Sequence, residues 1–157
     1  MKKNYASKIV SAFVAIFVVV AIFCMFASAF TEAVQSTRGD VFTVMFGEIG
    51  GIYNVVWPLI IGFILLLLAF VVAVIGLFLG EEVGKIVAIC EALLTVGAGT
   101  LFLFSVQFYV AANSDQIANI NNTGITYLGP GAICVSVFAF LAAATSLIGL
   151  LVMNKKD

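Results

Sequence analysis

Residues 55–85 read VVWPLIIGFILLLLAFVVAVIGLFLGEEVGK, and how this stretch divides decides the fold. Val55 to Leu79 carries no charge and, at about 1.5 Å per helical residue, is long enough to cross a hydrocarbon core of roughly 30 Å. Trp57-Pro58 marks its start. The tryptophan is a side chain of the kind that settles at a bilayer interface, and the proline falls in the first turn, where a missing N–H removes no helical bond. Gly80 to Lys85 is then a polar break, too short for anything but a tight hairpin between antiparallel neighbours.

Three further apolar runs flank this unit: Ile9 to Phe30, Ile86 to Val110 with Glu91 inside it, and Ala132 to Met153 after the punctuation Gly129-Pro130-Gly131. The expected architecture is an all-α integral membrane protein, a single four-transmembrane-helix bundle. Its spans lie near 9–30, 55–79, 86–110 and 132–153, with outer loops 31–54 and 111–131 and an inner hairpin 80–85. Composition agrees: 64% of the 157 residues are hydrophobic and 10% charged, against roughly 45–50% and about 25% in soluble domains. Lys2, Lys3, Lys8, Lys85, Lys155 and Lys156 fall on the termini and the hairpin, against Arg38 alone opposite, so both termini are expected in the cytoplasm. The Met-Lys-Lys start, without other targeting signals, points to a bacterial plasma membrane. Lys-rich start, apolar run and Ala27-Ser28-Ala29 also describe a signal peptide, but the run exceeds the usual h-region of about 7–15 residues. Were it cleaved, three spans would remain.

Several chemistries are excluded. The chain has no histidine, which removes imidazole bases, histidine zinc sites and the usual activation of serine or cysteine nucleophiles. A net charge of −1 without a basic stripe excludes nucleic acid as a partner. Cys24, Cys90 and Cys134 stand alone in apolar runs and read as small packing residues. No metal or cofactor is expected, and one buried acid without base, nucleophile or metal cluster makes an enzyme the poorest fit.

Helices in lipid approach one another through small residues. Ala69, Ala73, Gly76, Gly80 and Gly84 recur at helical spacing along the second span and into the hairpin. Ser7, Ser11 and Ala15 do so on the first span, and Ala139, Ala142, Ala143, Ser146 and Gly149 on the fourth. The third span carries Ala88, Glu91, Thr95, Ala98, Gly99, Phe102 and Ser105 on one face. Such a face does not point at lipid, and a carboxylate within it is a candidate functional group. Glu91 lies five residues past Ile86, about 7–8 Å deep. It is expected to snorkel to the interface, to meet a hydroxyl or lysine of another helix, to form an ion or proton site with Thr95 and Ser105, or to pair with a basic residue of a partner protein.

In the first outer loop Phe42, Met45, Phe46, Ile49, Ile52 and Tyr53 fit a short amphipathic helix begun at Asp40 and broken near Gly50-Gly51. The alternative is a strand over Val41 to Phe46 pairing with Ile125-Thr126-Tyr127. Arg38-Gly39-Asp40 resembles an integrin-binding tripeptide, and Asn121-Asn122-Thr123 is a glycosylation acceptor pattern.

The layout is similar to that of claudins and other tetraspan proteins in topology alone, since their Trp-Gly-Leu-Trp stretch and loop cysteine pair have no counterpart. Small multidrug transporters are similar in their four spans and membrane glutamate, which sits in their first helix rather than the third. The expected role is structural: an assembly or accessory subunit in the lipid bilayer contacting other membrane proteins. The alternative is a homo-oligomeric channel or proton-coupled small transporter using Glu91.

Overall fold

The structure, a computed structural model, describes residues 5–31, 39–47, 53–79, 81–115 and 127–154. Four long helices dominate: α1 (Tyr5–Cys24), α3 (Trp57–Phe78), α4 (Glu81–Leu103) and α6 (Pro130–Asn154). Between them come the short helices α2 (Val41–Phe46) and α5 (Ser105–Ala112) and the two-residue strands β1 (Phe30–Thr31) and β2 (Tyr127–Leu128). Each long helix is long and apolar enough to cross a membrane.

Burial follows the heptad-like spacing of a bundle. α1 buries Ser7, Ser11, Val14, Val18 and Ala21, and α3 buries Leu59, Gly62, Leu66, Ala69, Ala73 and Gly76, in alternating steps of three and four. The α1 stripe therefore passes through Val14 rather than the partly exposed Ala15. α1 and α4 each pack on both α3 and α6, and they also meet across the bundle more closely than α3 and α6 do. Outward faces are apolar. Exposed Trp57, Phe23, Phe26, Phe46 and Phe104 ring one end, and Tyr5 and Phe78 mark the other. Trp57 and Phe78 are separated by about 31 Å of helical rise, close to the thickness of a hydrocarbon core.

The helices depart from the hydropathy runs most at three places. α1 stops at Cys24, not Phe30, because Met25, Phe26 and Ala27 donate to carbonyls three residues back and tighten the last turn. The apolar residues that follow serve a cap over the bundle end, where Met25, Ala29 and Phe30 are buried. The polar hairpin contracts: α3 ends at Phe78, Leu79 is extended (φ −83°, ψ 159°), and α4 already begins at Glu81. Gly84 thus belongs to α4, not to an extension of the α3 seam, while Gly80 lies outside the described residues. The third run is interrupted at Phe104 (φ −94°, ψ 17°) and resumes as α5.

The cap is held largely by backbone bonds. Val41 N–H donates to Met25 O at 2.9 Å, Val56 N–H to Met45 O at 3.0 Å, and Ala29 N–H to Gly39 O at 2.9 Å. Phe30–Thr31 pairs antiparallel with Tyr127–Leu128. Val41 to Phe46 is a helix, so the alternative strand there does not form; Tyr127 does pair, but with Thr31. Asp40 caps α2, accepting from the Thr43 N–H and hydroxyl, each at 2.7 Å. Buried Asn113 accepts from Asn54 N–H at 2.6 Å and donates to Tyr109 O at 3.0 Å. The Tyr109 ring lies between Phe30 and Tyr53, at centroid distances of 4.9 and 5.8 Å. Arg38, Ile49 to Ile52 and Asn121 to Thr126 lie outside the described residues.

α2 ends at Gly47, earlier than the Gly50-Gly51 break, in the left-handed region (φ 71°), its N–H bonding to Thr43 O and Val44 O. A Cβ there would stand 2.5 Å from the Tyr53 carbonyl oxygen. Both backbone strain and that contact oppose any side chain, so Gly47→Ala is expected to weaken the cap by about 1–3 kcal/mol. Amide exchange over Val41–Phe46 should accelerate while the long helices stay protected; unchanged exchange there would contradict this account.

Candidate functional site

All seven residues of the small, partly polar α4 face (Ala88, Glu91, Thr95, Ala98, Gly99, Phe102 and Ser105) are buried. Glu91 is fully enclosed, at 0% exposure, so it does not snorkel. Ten residues separate it from Glu81, about 15 Å of helical rise and deeper than the run beginning at Ile86 implied.

The carboxylate is met by hydroxyls from two other helices. Ser11 of α1 donates to Oε1 at 2.8 Å, and Ser146 of α6 donates to Oε2 at 3.0 Å. Gly76 of α3 provides the space: a Cβ there would lie 2.5 Å from Ser11 Oγ and 2.8 Å from Val87 Cγ1. Three long helices, α1, α4 and α6, therefore meet at one carboxylate, and α3 packs against the serine that α1 brings to it. Inside a low-dielectric interior, such hydrogen bonds hold helices because the alternative is an unpaired polar group.

The residues grouped with Glu91 by sequence do not share its site. The Thr95 hydroxyl turns back to the carbonyls of Glu91 (2.7 Å) and Ala92 (3.3 Å), completing its own helix rather than lining a path. Ser105 lies beyond the interruption at Phe104, about 21 Å of rise from Glu91, and its buried hydroxyl has no partner among the described residues. The packing residues are placed as small contacts. Ala69, Ala73, Gly76, Ala142, Ser146 and Gly149 are buried. Gly84 packs on Ser7, where an added Cβ would be 2.8 Å from Ser7 Cβ, and Gly149 packs on Val10. Among the described residues no group of three or more Cys, Asp or Glu is placed to hold a metal ion.

Sequence reasoning missed two features. Ser11 and Ser146 stood out as small residues, and the signal that they bond Glu91 is that each brings a hydroxyl to a small-residue stripe facing the bundle interior. The second feature is that Cys24, at the end of α1, lies beside Cys134 in the first turns of α6, both as free thiols.

Fold and site together define a polytopic membrane bundle whose buried acid is bonded entirely within the bundle. Compared with protein-family models, curated proteins and solved structures, the chain matches none.

Proposed function

We propose that this is a non-enzymatic membrane protein that works by assembly, as a structural or accessory subunit contacting other membrane proteins. The observation that carries the reading is the state of Glu91, whose two oxygens are both engaged by serines of the same chain in a closed, mostly apolar core. A group so engaged holds helices together; it is not presented to a substrate. What remains for interaction is the apolar outer surface and the cap with its aromatic rim. In this reading the lysine-bearing termini face the cytoplasm of a bacterial cell and the cap faces outward.

The test is native mass spectrometry of the protein extracted from its own membrane in mild detergent. The expected result is a stoichiometric complex with a second membrane protein. A defined homo-oligomer without a second protein, together with proton or cation flux in liposomes that Glu91→Gln abolishes, would overturn the reading in favour of a channel or transporter.

A further inference from the structure

The register that places Phe30 opposite Leu128 and bonds Gly131 N–H to Ser28 O at 2.9 Å continues back along the chain into α1 and α6. Near the far end of the same pair of helices, Gly149 lies against Val10, so the two elements stay in antiparallel step over their length. That step sets Cys24 opposite Cys134. Between these contacts Phe17, one heptad before Cys24, meets Phe138, one helical turn after Cys134, with ring centroids 6.3 Å apart, so both cysteines lie on the facing sides of α1 and α6; each is partly exposed and neither is bridged. Cys90, on the exposed side of α4, has no part in this arrangement.

We propose that Cys24 and Cys134 are a redox-convertible pair that closes to an intramolecular disulfide by exchange with an oxidant of the disulfide class. One cysteine, as its thiolate, attacks a sulfur of the donor disulfide; an S–S bond forms to that sulfur, the donor bond breaks, and the donor's other sulfur leaves as a thiolate. The second cysteine, as its thiolate, then attacks the first cysteine's sulfur and expels the remaining donor thiolate. Two protein thiols are oxidised, one donor disulfide is reduced to two thiols, and these take up the two protons. Bridging needs Cα atoms within about 7 Å, a reach open to cysteines at the same level on two closely packed antiparallel helices.

The position gives the bond a consequence. Cys24 is the last residue of α1, and Cys134 lies in the first turns of α6, so the link fastens the two points at which the cap joins the bundle. In the oxidised form, the strand pair Phe30–Thr31 with Tyr127–Leu128 is tethered at its root. The proposed orientation bears only on where the oxidant is met; the reaction of the purified protein is independent of it.

The experiment treats the purified full chain, in mild detergent, with oxidised glutathione. The expected product is monomeric, lighter by about 2 Da for the two hydrogens lost, and yields a cross-linked peptide joining Cys24 to Cys134. Cys90 then remains the one residue labelled by a maleimide. Cys24→Ser and Cys134→Ser should each abolish the closed product, and Cys90→Ser should retain it. An unchanged mass with Cys24 and Cys134 still alkylated overturns the proposal. So does a glutathione adduct on either residue that never resolves to the bridged form. Neither result would touch the assembly reading, which the native complex decides.

Discussion

Glu91→Ala is expected to lower the stability of the bundle by about 2–4 kcal/mol, while Glu91→Gln stays within about 1 kcal/mol of the parent. The alanine variant removes the acceptor of two buried hydroxyls, Ser11 and Ser146, and leaves a cavity where α1, α4 and α6 meet. Both serines can turn back to carbonyls of their own helices, which sets the lower end of the range. Glutamine keeps the shape and both contacts, its amide oxygen accepting from one serine and its amide N–H donating to the oxygen of the other. Reversible unfolding in mixed micelles measures the difference. If alanine is as stable as glutamine, the carboxylate is not what joins these helices, and the assembly reading loses its main support.

The second large effect belongs to Gly149. A Cβ at this position would fall 2.5 and 2.8 Å from the two Cγ atoms of Val10 and 3.1 Å from its Cβ. Valine is branched next to its backbone, so it cannot swing aside as a long side chain does, and α1 and α6 must separate. Gly149→Ala is expected to cost about 1–3 kcal/mol by overpacking. Val10→Ala removes both offending methyl groups, so the double variant should be clearly more stable than the sum of the two single changes predicts. Strict additivity in a double-mutant cycle would show that these helices do not meet where the structure places them.

How much of this was legible in the sequence depended on which physical signal each feature leaves. Apolar length marks a membrane helix, and all four long helices stood out for that reason, α4 in spite of Glu91 within it. The stripe through Glu91 was legible because helical spacing is periodic, and a polar stripe in lipid has only the interior to face. Boundaries were less accessible, since apolarity is the same whether a residue faces lipid or lies under a cap. Met25, Ala29 and Phe30 are buried by protein at the end of what read as one span. The polar residues Glu81 to Lys85 read as a hairpin, yet a helix's first turn accommodates polar residues readily, and α4 starts there. The site was half legible. Glu91 announced itself by chemistry, but its partners stand 80 and 55 residues away in the chain, and pairing over such distances leaves no local pattern. The same holds for Cys24 and Cys134, which no spacing rule connects.

Those separations bear on how the protein is made. α1 is synthesised before α4 and α6 after it, so Ser11 is already in the chain when Glu91 emerges, whereas Ser146 arrives later. The least apolar of the four spans is the one that carries the acid. Until the last helix docks, one oxygen of a carboxylate in hydrocarbon lacks its donor, a costly state that only α6 relieves. Docking of α6 and closure of the core are thereby the same event. A chain that stalls before α6 is left with an unsatisfied acid in the membrane, which distinguishes it physically from the closed bundle.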